Sequence, residues 1–470
     1  MQNCNINHWV RYSITLRAVV IGVLALLLLI PVNMVGSLIR EREYNRAGAI
    51  AEISQKWGNA QTVAGPVLSI SYDKFATNEK GQQITVTEYA HFLPKTLKIE
   101  GHITPEIRSR GIFDAVVYSS EMSISGVFEK PDLAALGINA QNARWDDAIV
   151  SVGIPDMRGI KSEVKLSWRG KTYDFSPGIE TDDVIRASLA PMSFTSPGRL
   201  ADPFLEKMTM SSAETYNESS GISAAVPAGR FDTGEYIFSF TLALDGSQSL
   251  LFAPLGRTTT VNLASPWGTP SFTGAFLPDT REITNDGFVA CWEILDLNRN
   301  YPQAWVGGKH NVYSAAFGVD LLAPVDEYQK SERSAKYALL IIALTFMIFF
   351  FSEIFNKKRV HPIQYLLVGL ALVLYYSLLI SFSEAVGFDW AYLIASGSTI
   401  GLITGYSKVI LPTSRMLFAQ TFILVFLYLF VYIILQLEDY ALLAGSVGLF
   451  VILSVVMYLS RKIDWYRIAE

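Results

Sequence analysis

Five histidines, His8, His91, His102, His310 and His361, are the first side chains to ask for chemistry. None falls in an HExxH pattern or another recurring metal spacing, so no zinc site is expected. The chain has no G-x-S-x-G elbow, no P-loop and no Rossmann glycine pattern. His91 and His102 flank a turn carrying Pro94 and are read as two unrelated surface imidazoles, with a meeting across paired strands as the alternative. Asp286, Glu293 and Asp296 offer a carboxylate pair, and a solvated strand face would carry the same residues. No enzyme, cofactor or metal is expected from these patterns.

A second set of polar residues lies in or beside long apolar segments, where burial is costly and partners are required. Glu353, Glu384, Glu438 and Asp439 sit at segment ends, and Gln364, Tyr375, Tyr376 and Gln420 add hydrogen-bonding groups within them. Carboxylates at the membrane interface are the plain expectation, with a proton or cation path from Glu384 toward Glu353 as the functional one. Gly397, Gly401 and Gly405 recur every four residues, a stripe that lets another helix approach closely. Packing within the bundle is the expected use.

These residues are carried by five apolar segments: Tyr337 to Ser352, Ile363 to Phe382, Phe388 to Tyr406, Met416 to Leu435 and Tyr440 to Leu459. Each approaches the roughly 20 residues a helix needs to cross about 30 Å of hydrocarbon. Lys357, Lys358 and Arg359 follow the first, Lys408 and Arg415 the third, and Arg461, Lys462 and Arg467 the fifth. The alternate loops hold Glu384, Asp389, Glu438 and Asp439 without a Lys or Arg, so the basic connections are expected inside the cell. Near the start, Arg11 and Arg17 precede the apolar run Ala18 to Val35. A cleaved signal peptide has a shorter apolar core, about 7 to 15 residues, so the run is read as an uncleaved anchor. Six transmembrane helices follow, one N-terminal and five C-terminal, with both termini cytoplasmic.

Between anchor and bundle the pattern changes. Ile39 to Trp57 keeps helical spacing and ends at Gly58. From Val67 to about Leu321, ten short runs rich in β-branched and aromatic residues alternate with turn residues. They are Val67 to Tyr72, Ile84 to Tyr89, Met122 to Phe128, Ile149 to Ile154, Val164 to Trp168, Thr172 to Phe175, Tyr236 to Leu244, Thr258 to Leu263, Phe272 to Phe276 and Phe288 to Ile294. The expected fold is therefore an α-helical membrane protein with a large β-rich, sandwich-like periplasmic domain. The expected division is 1–17 cytoplasmic, 18–38 anchor, 39–335 periplasmic, 336–460 five-helix membrane domain and 461–470 cytoplasmic. Two β subdomains are expected, joined near 191–227, where Ser, Thr, Ala, Pro and Gly dominate.

A net charge of -5 and the lack of a basic block beyond the membrane flanks exclude a nucleic-acid partner. Cys4 and Cys291 fall on opposite sides of the membrane in this topology, so they are not expected to pair, and Cys291 is expected as a buried small apolar residue.

The run His361-Pro362-Ile363-Gln364-Tyr365-Leu366-Leu367-Val368-Gly369, with Ser381-Phe382-Ser383-Glu384 and Leu435-Gln436-Leu437-Glu438-Asp439-Tyr440, resembles the CreD family of bacterial inner-membrane proteins. So do Arg110-Gly111-Ile112-Phe113, Asp156-Met157-Arg158-Gly159-Ile160, Ser265-Pro266-Trp267 and Gly274-Ala275-Phe276-Leu277-Pro278 in the outer region. The resemblance extends over essentially the whole chain, with a loose match around 191–227. It implies a Gram-negative inner-membrane protein of cell-envelope integrity and stress response, and it supplies no catalytic residue. The expected partners are the lipid bilayer and an envelope protein or glycan. A transporter or flippase moving a small or lipidic solute is the alternative, and the oligomeric state is left open.

Overall fold

In the computed structural model the described residues are 14–77, 82–181, 183–184, 220–226, 234–321, 327–356, 360–410, 413–437 and 440–461. The chain divides into two compact units, Met1–Ala47 with Val325–Glu470, and Gly48–Pro324. The anchor and the helical stretch after it are one helix, α1 (Ile14–Trp57), 44 residues long with Pro31 inside it. Each of the five C-terminal apolar segments is helical: α3 (Ala338–Asn356), α4 (Pro362–Val386), α5 (Phe388–Ile410), α6 (Ser414–Gln436) and α7 (Ala441–Ser460). Ahead of them lies a short polar helix, α2 (Glu327–Lys336), in a stretch where no element was read from the sequence.

By length and composition three of the described helices suffice to cross a membrane: α1, α4 and α6. A fourth span results if α2 and α3, bent by 45°, count as one. Helix α5 is long enough, but Ser396, Gly397, Ser398, Thr399, Gly401, Thr404 and Gly405 dilute its apolar character. The described apolar part of α7, Leu443–Tyr458, is shorter.

The β unit holds β1 (Gln61–Thr77), β2 (Gln83–Phe92), β3 (Thr96–Arg110), β4 (Phe113–Phe128), β5 (Ile149–Gly153), β6 (Lys165–Trp168), β7 (Lys171–Asp174), β8 (Ser176–Pro177) and β9 (Gly221–Ala225). It continues with β10 (Tyr236–Ser247), β11 (Ser249–Phe252), β12 (Thr258–Ser265), β13 (Pro270–Gly274), β14 (Thr280–Thr284), β15 (Gly287–Leu295), β16 (Ala304–Val306) and β17 (Phe317–Leu321). Each of the ten runs read from the sequence overlaps one of these strands. Among the described residues, one sheet has the order β13-β17-β11-β1-β5-β9-β8, with β2 also on β1 and β16 on β2. The other has the order β14-β15-β12-β3-β4-β10-β6-β7. Two subdomains were expected, whereas the two sheets share one hydrophobic core that includes Val63 and Ile70 of the first and Ile99, Val261 and Trp292 of the second. Residues 191–219 and 227 lie outside the described residues, but Gly221–Ala225 is a strand between β5 and β8 rather than linker.

Sequence alternation sets which side chains enter that core. Along β12 buried and half-buried residues alternate strictly, and β15 repeats the pattern opposite it. The end of α1 is tied into the same unit. Trp57 Nε1 donates to Tyr118 O at 3.2 Å, with the Arg108 guanidinium 4.4 Å and the Lys161 ammonium 5.3 Å from its ring centre. Gly58 then stops the helix at φ +157°, where a Cβ would meet Asp245 O at 2.7 Å.

His91 is fully buried in β2 and does not meet His102, because β2 and β3 belong to different sheets. Its Nδ1 lies 2.9 Å from Ser69 Oγ, its Nε2 lies 3.5 Å from Asp183 Oδ2, and its ring packs 5.9 Å from that of Trp305. Ser69 is itself buried, so this Ser-His-Asp grouping offers a substrate no access to the hydroxyl. Burial pushes the imidazole from 6.5 down to about 4, with Asp183 opposing the shift. The folded state thus binds fewer protons than the unfolded one between these values. The stability contributed by neutral His91 is complete above about pH 6.5 and is lost as pH falls toward 4. The expected loss is about 3 kcal/mol, and His91→Gln should flatten that pH dependence in denaturant titrations of the purified protein.

Candidate functional site

The second sheet has one face in the core, so alternate residues of every strand must point away from it. Strand register turns these into rows. Thr280, Cys291, Asn262, Glu100, Ser123 and Thr241 align across β14, β15, β12, β3, β4 and β10. In the adjacent row Ala264, His102 and Glu121 are neighbours. Around them opens a cleft of about 470 Å³ lined by Glu100, His102, Glu121, Ser123, Thr241 and Asn262, among others. Hydroxyl, amide, imidazole and carboxylate groups within two rows form a surface suited to hydrogen-bonding a polar ligand. Lys98 Nζ pairs with Glu100 Oε1 at 2.6 Å at its edge.

Cys291 is half-buried at one end of the row rather than fully buried. Burial and then the carboxylates of Asp279 and Glu293 raise its thiol pKa, which makes it a poor nucleophile. The proposed carboxylate pair does not form. Asp286 and Glu293 are seven residues apart along β15 and its turn, roughly 20 Å in extended chain, while Asp296 lies 3.9 Å from Arg257 Nε. Among the described residues no group of three or more His, Cys, Asp or Glu side chains is placed to hold a metal ion.

In the helical unit, two carboxylates gather partners. Glu353, near the end of α3 and 6% exposed, accepts from Arg17 Nη1 of α1 at 2.7 Å and from Tyr365 OH of α4 at 3.2 Å. Glu384, in the last turn of α4, accepts from Tyr328 OH of α2 at 3.0 Å, and Arg42 Nε of α1 lies 3.8 Å away. Gln364 serves locally: its Oε1 accepts from His361 N at 2.9 Å, and His361 Nδ1 accepts from Ile363 N, capping α4 at Pro362. Glu438 and Asp439 lie outside the described residues.

Between the two carboxylates sits a cluster that the sequence did not reveal. Tyr375 and Tyr376 of α4, Tyr392 of α5 and Tyr428 of α6 pack ring against ring, Tyr375 lying 4.8, 5.9 and 5.0 Å from the other three. Tyr392 OH donates to Tyr428 O at 2.7 Å, the buried hydroxyl of Tyr375 faces those of Ser334 and Tyr392, and the hydroxyls of Tyr376 and Tyr428 are buried without a hydrogen-bond partner among the described residues. From Tyr365 to Tyr375 the buried face of α4 is apolar, Val368, Gly369, Ala371 and Leu372, over roughly 15 Å. The glycine stripe departs from its expected use: a Cβ at Gly397, Gly401 or Gly405 meets nothing within 4 Å. Among the described residues, then, no helix packs on it.

Helices that are apolar nearly all round, beside a β unit with its own core, define an integral membrane protein with a large folded domain. The family described as inner membrane protein CreD matches residues 13–466. Inner membrane protein CreD of Escherichia coli (strain K12) is 31% identical over 450 residues, which cover 94% of this chain and 91% of that protein. The chain belongs to the CreD family of inner membrane proteins. A solved M1 zinc metallopeptidase from Deinococcus radiodurans aligns with 49% of this chain and 43% of its own, at 9% identity and a TM-score of 0.19. So low a score carries no argument.

Removing one partner of a buried ion pair strands the other charge, at a cost of roughly 3–5 kcal/mol. Arg17 is 27% exposed, so Arg17→Met should fall at or below the lower end of that range. The double change Arg17→Met with Glu353→Met should recover much of the loss in thermal melts of the detergent-solubilised protein. Simple additivity of the two single changes would contradict the pairing.

Proposed function

We propose that this protein is a non-enzymatic, six-span inner-membrane protein of cell-envelope integrity and stress response, with a sandwich-like periplasmic domain that binds an envelope component. The observation that carries the binding role is the row of polar side chains from Thr280 to Thr241 and the cleft around it. Short hydroxyl and amide side chains on a pleated surface suit a glycan or a polar protein segment. Family membership over nearly the whole chain supports the inner-membrane setting.

The topology has a physical support as well. Arg17 and Arg42, 25 residues and so about 37 Å apart along α1, each meet a carboxylate, Glu353 and Glu384. That is close to a bilayer of about 30 Å hydrocarbon and 40–45 Å with headgroups, which supports a reading with one pair at each interface. The basic segments after α3, α5 and α7 favour the Glu353 end as cytoplasmic, so both termini are inside and the β unit is periplasmic.

A photoreactive residue at Thr241 or at Asn262 in cells should capture one defined envelope protein or glycan. Adding Ser123→Arg should abolish capture and the envelope phenotype at unchanged protein level. Capture unchanged by Ser123→Arg would remove the binding role from this face. A transporter or flippase reading draws on the buried hydroxyls of Tyr375, Tyr376, Tyr428 and Ser334. The apolar interval on α4 weighs against it, and loss of the envelope phenotype in a stable Glu384→Gln protein would favour it.

A further inference from the structure

A second cavity, of about 500 Å³, lies within the helical unit between α3, α6 and α7. Ligand pockets span roughly 300–1,000 Å³ and are mostly apolar with a few placed polar groups. This one fits that description: Met347 and Phe351 of α3, Phe430 of α6 and Ile452 of α7 line it, and its polar side chains are Ser352 and Gln420. Ala419, Ile423 and Val455 at its margin are exposed, so the cavity opens sideways from the bundle. Its shape is maintained by a close approach. Gly448 of α7 lies under the Phe430 ring, and a Cβ there would push that ring aside.

Gln420 is the informative residue. It is 2% exposed, its Nε2 donates to Ser407 Oγ at 2.7 Å, and its Oε1 has no partner among the described residues. Because Ser407 Oγ can donate or accept, exchanging the amide ends leaves the nitrogen unmatched instead. A polar group buried in apolar surroundings needs its hydrogen bond, and the bilayer core holds no water to supply it. Gln420 lies six residues into α6, about 9 Å along the helix from Ser414. An uncharged hydroxyl or amide reaches that depth far more readily than a charged headgroup.

We infer that this cavity holds the hydrocarbon chain of a neutral lipid whose O–H or N–H group hydrogen-bonds to Gln420. The inference rests on the membrane setting and is independent of any ligand on the β unit. Sideways opening admits the chain from the bilayer, apolar walls bury it, and the Gln420 amide selects against a lipid without a matching polar group.

The test is photolabelling of the full-length protein in nanodiscs, with diazirine-bearing diacylglycerol or diazirine-bearing phosphatidylglycerol as probe and peptide mapping as readout. Diacylglycerol should label α3 and α7 saturably, and unlabelled diacylglycerol should compete. Ala419→Trp, which fills the margin, should reduce labelling there at least five-fold, whereas Val425→Trp on the exposed side of α6 should not. Gln420→Leu should cut diacylglycerol labelling several-fold and leave phosphatidylglycerol labelling unchanged. Non-saturable labelling, equal labelling by both probes, or labelling insensitive to Gln420→Leu and competitor would overturn the inference. So would a Val455→Cys protein that crosslinks efficiently to a second copy, since the cavity would then be covered by protein. Each readout is unaffected by whether the β unit captures an envelope partner.

Discussion

A carboxylate buried among apolar helices cannot be left alone, and much of the helical unit follows from that constraint. Glu353 is nearly buried, and it takes one hydrogen bond from a guanidinium and another from a tyrosine hydroxyl. Three helices supply those groups: α1 through Arg17, α3 through Glu353 and α4 through Tyr365. Glu384 makes the equivalent arrangement with α1, α2 and α4. Helix α1, distant in sequence from the other helices, is thereby registered against them at two heights. Dispersion contacts alone would hold such a helix without fixing its rotation or its depth.

In the β unit the governing constraint is the shared core. Two sheets that both turn one face toward it leave a second face each, and the second sheet uses that face for hydroxyls, amides and charged groups. The same alternation that buries Leu97, Ile99 and Ile103 of β3 exposes Lys98, Glu100 and His102. Core packing and the polar rows are thus written on alternate letters of the same strands, so a substitution in the polar rows leaves the packing intact. The helical unit works differently, since there the polar groups are themselves structural joints.

Period and composition made most elements legible. Ten strands and five apolar helices could be read because their side chains repeat every two residues or stay apolar for about twenty. Strand β3 was hidden by Pro105 and its many charges, β9 by the small residues of a stretch that resembles a linker, and α2 by its brevity. Pairing was harder. Arg17 and Glu353 are 336 residues apart, and the polar row gathers positions 100, 123, 241, 262, 280 and 291 by registers that a single sequence does not carry. His91 and His102 are unrelated, as read, because the chain passes from one sheet to the other after Pro94, but His91 is buried rather than on the surface, a burial that a strand's composition alone does not reveal. The glycine stripe of α5 has the same spacing whether or not a partner covers it.

The two parallel ladders carry a consequence for how the molecule comes into being. Strand β1 pairs with β11, Gln61 against Leu250, and β3 pairs with β12, Thr96 against Thr258. The first partners are 189 residues apart, so at about 5–20 residues per second the ribosome separates their synthesis by roughly 10–40 s. During that interval β1 already has its antiparallel neighbours β2 and β5 and β3 has β4, but residues 61–63 at the start of β1 and the other edge of β3 offer unpaired amides and carbonyls to any strand that passes. The β unit therefore completes late and non-locally, in the slow regime of folding. Whatever guards the nascent chain must shield those two edges until the last third of the domain arrives.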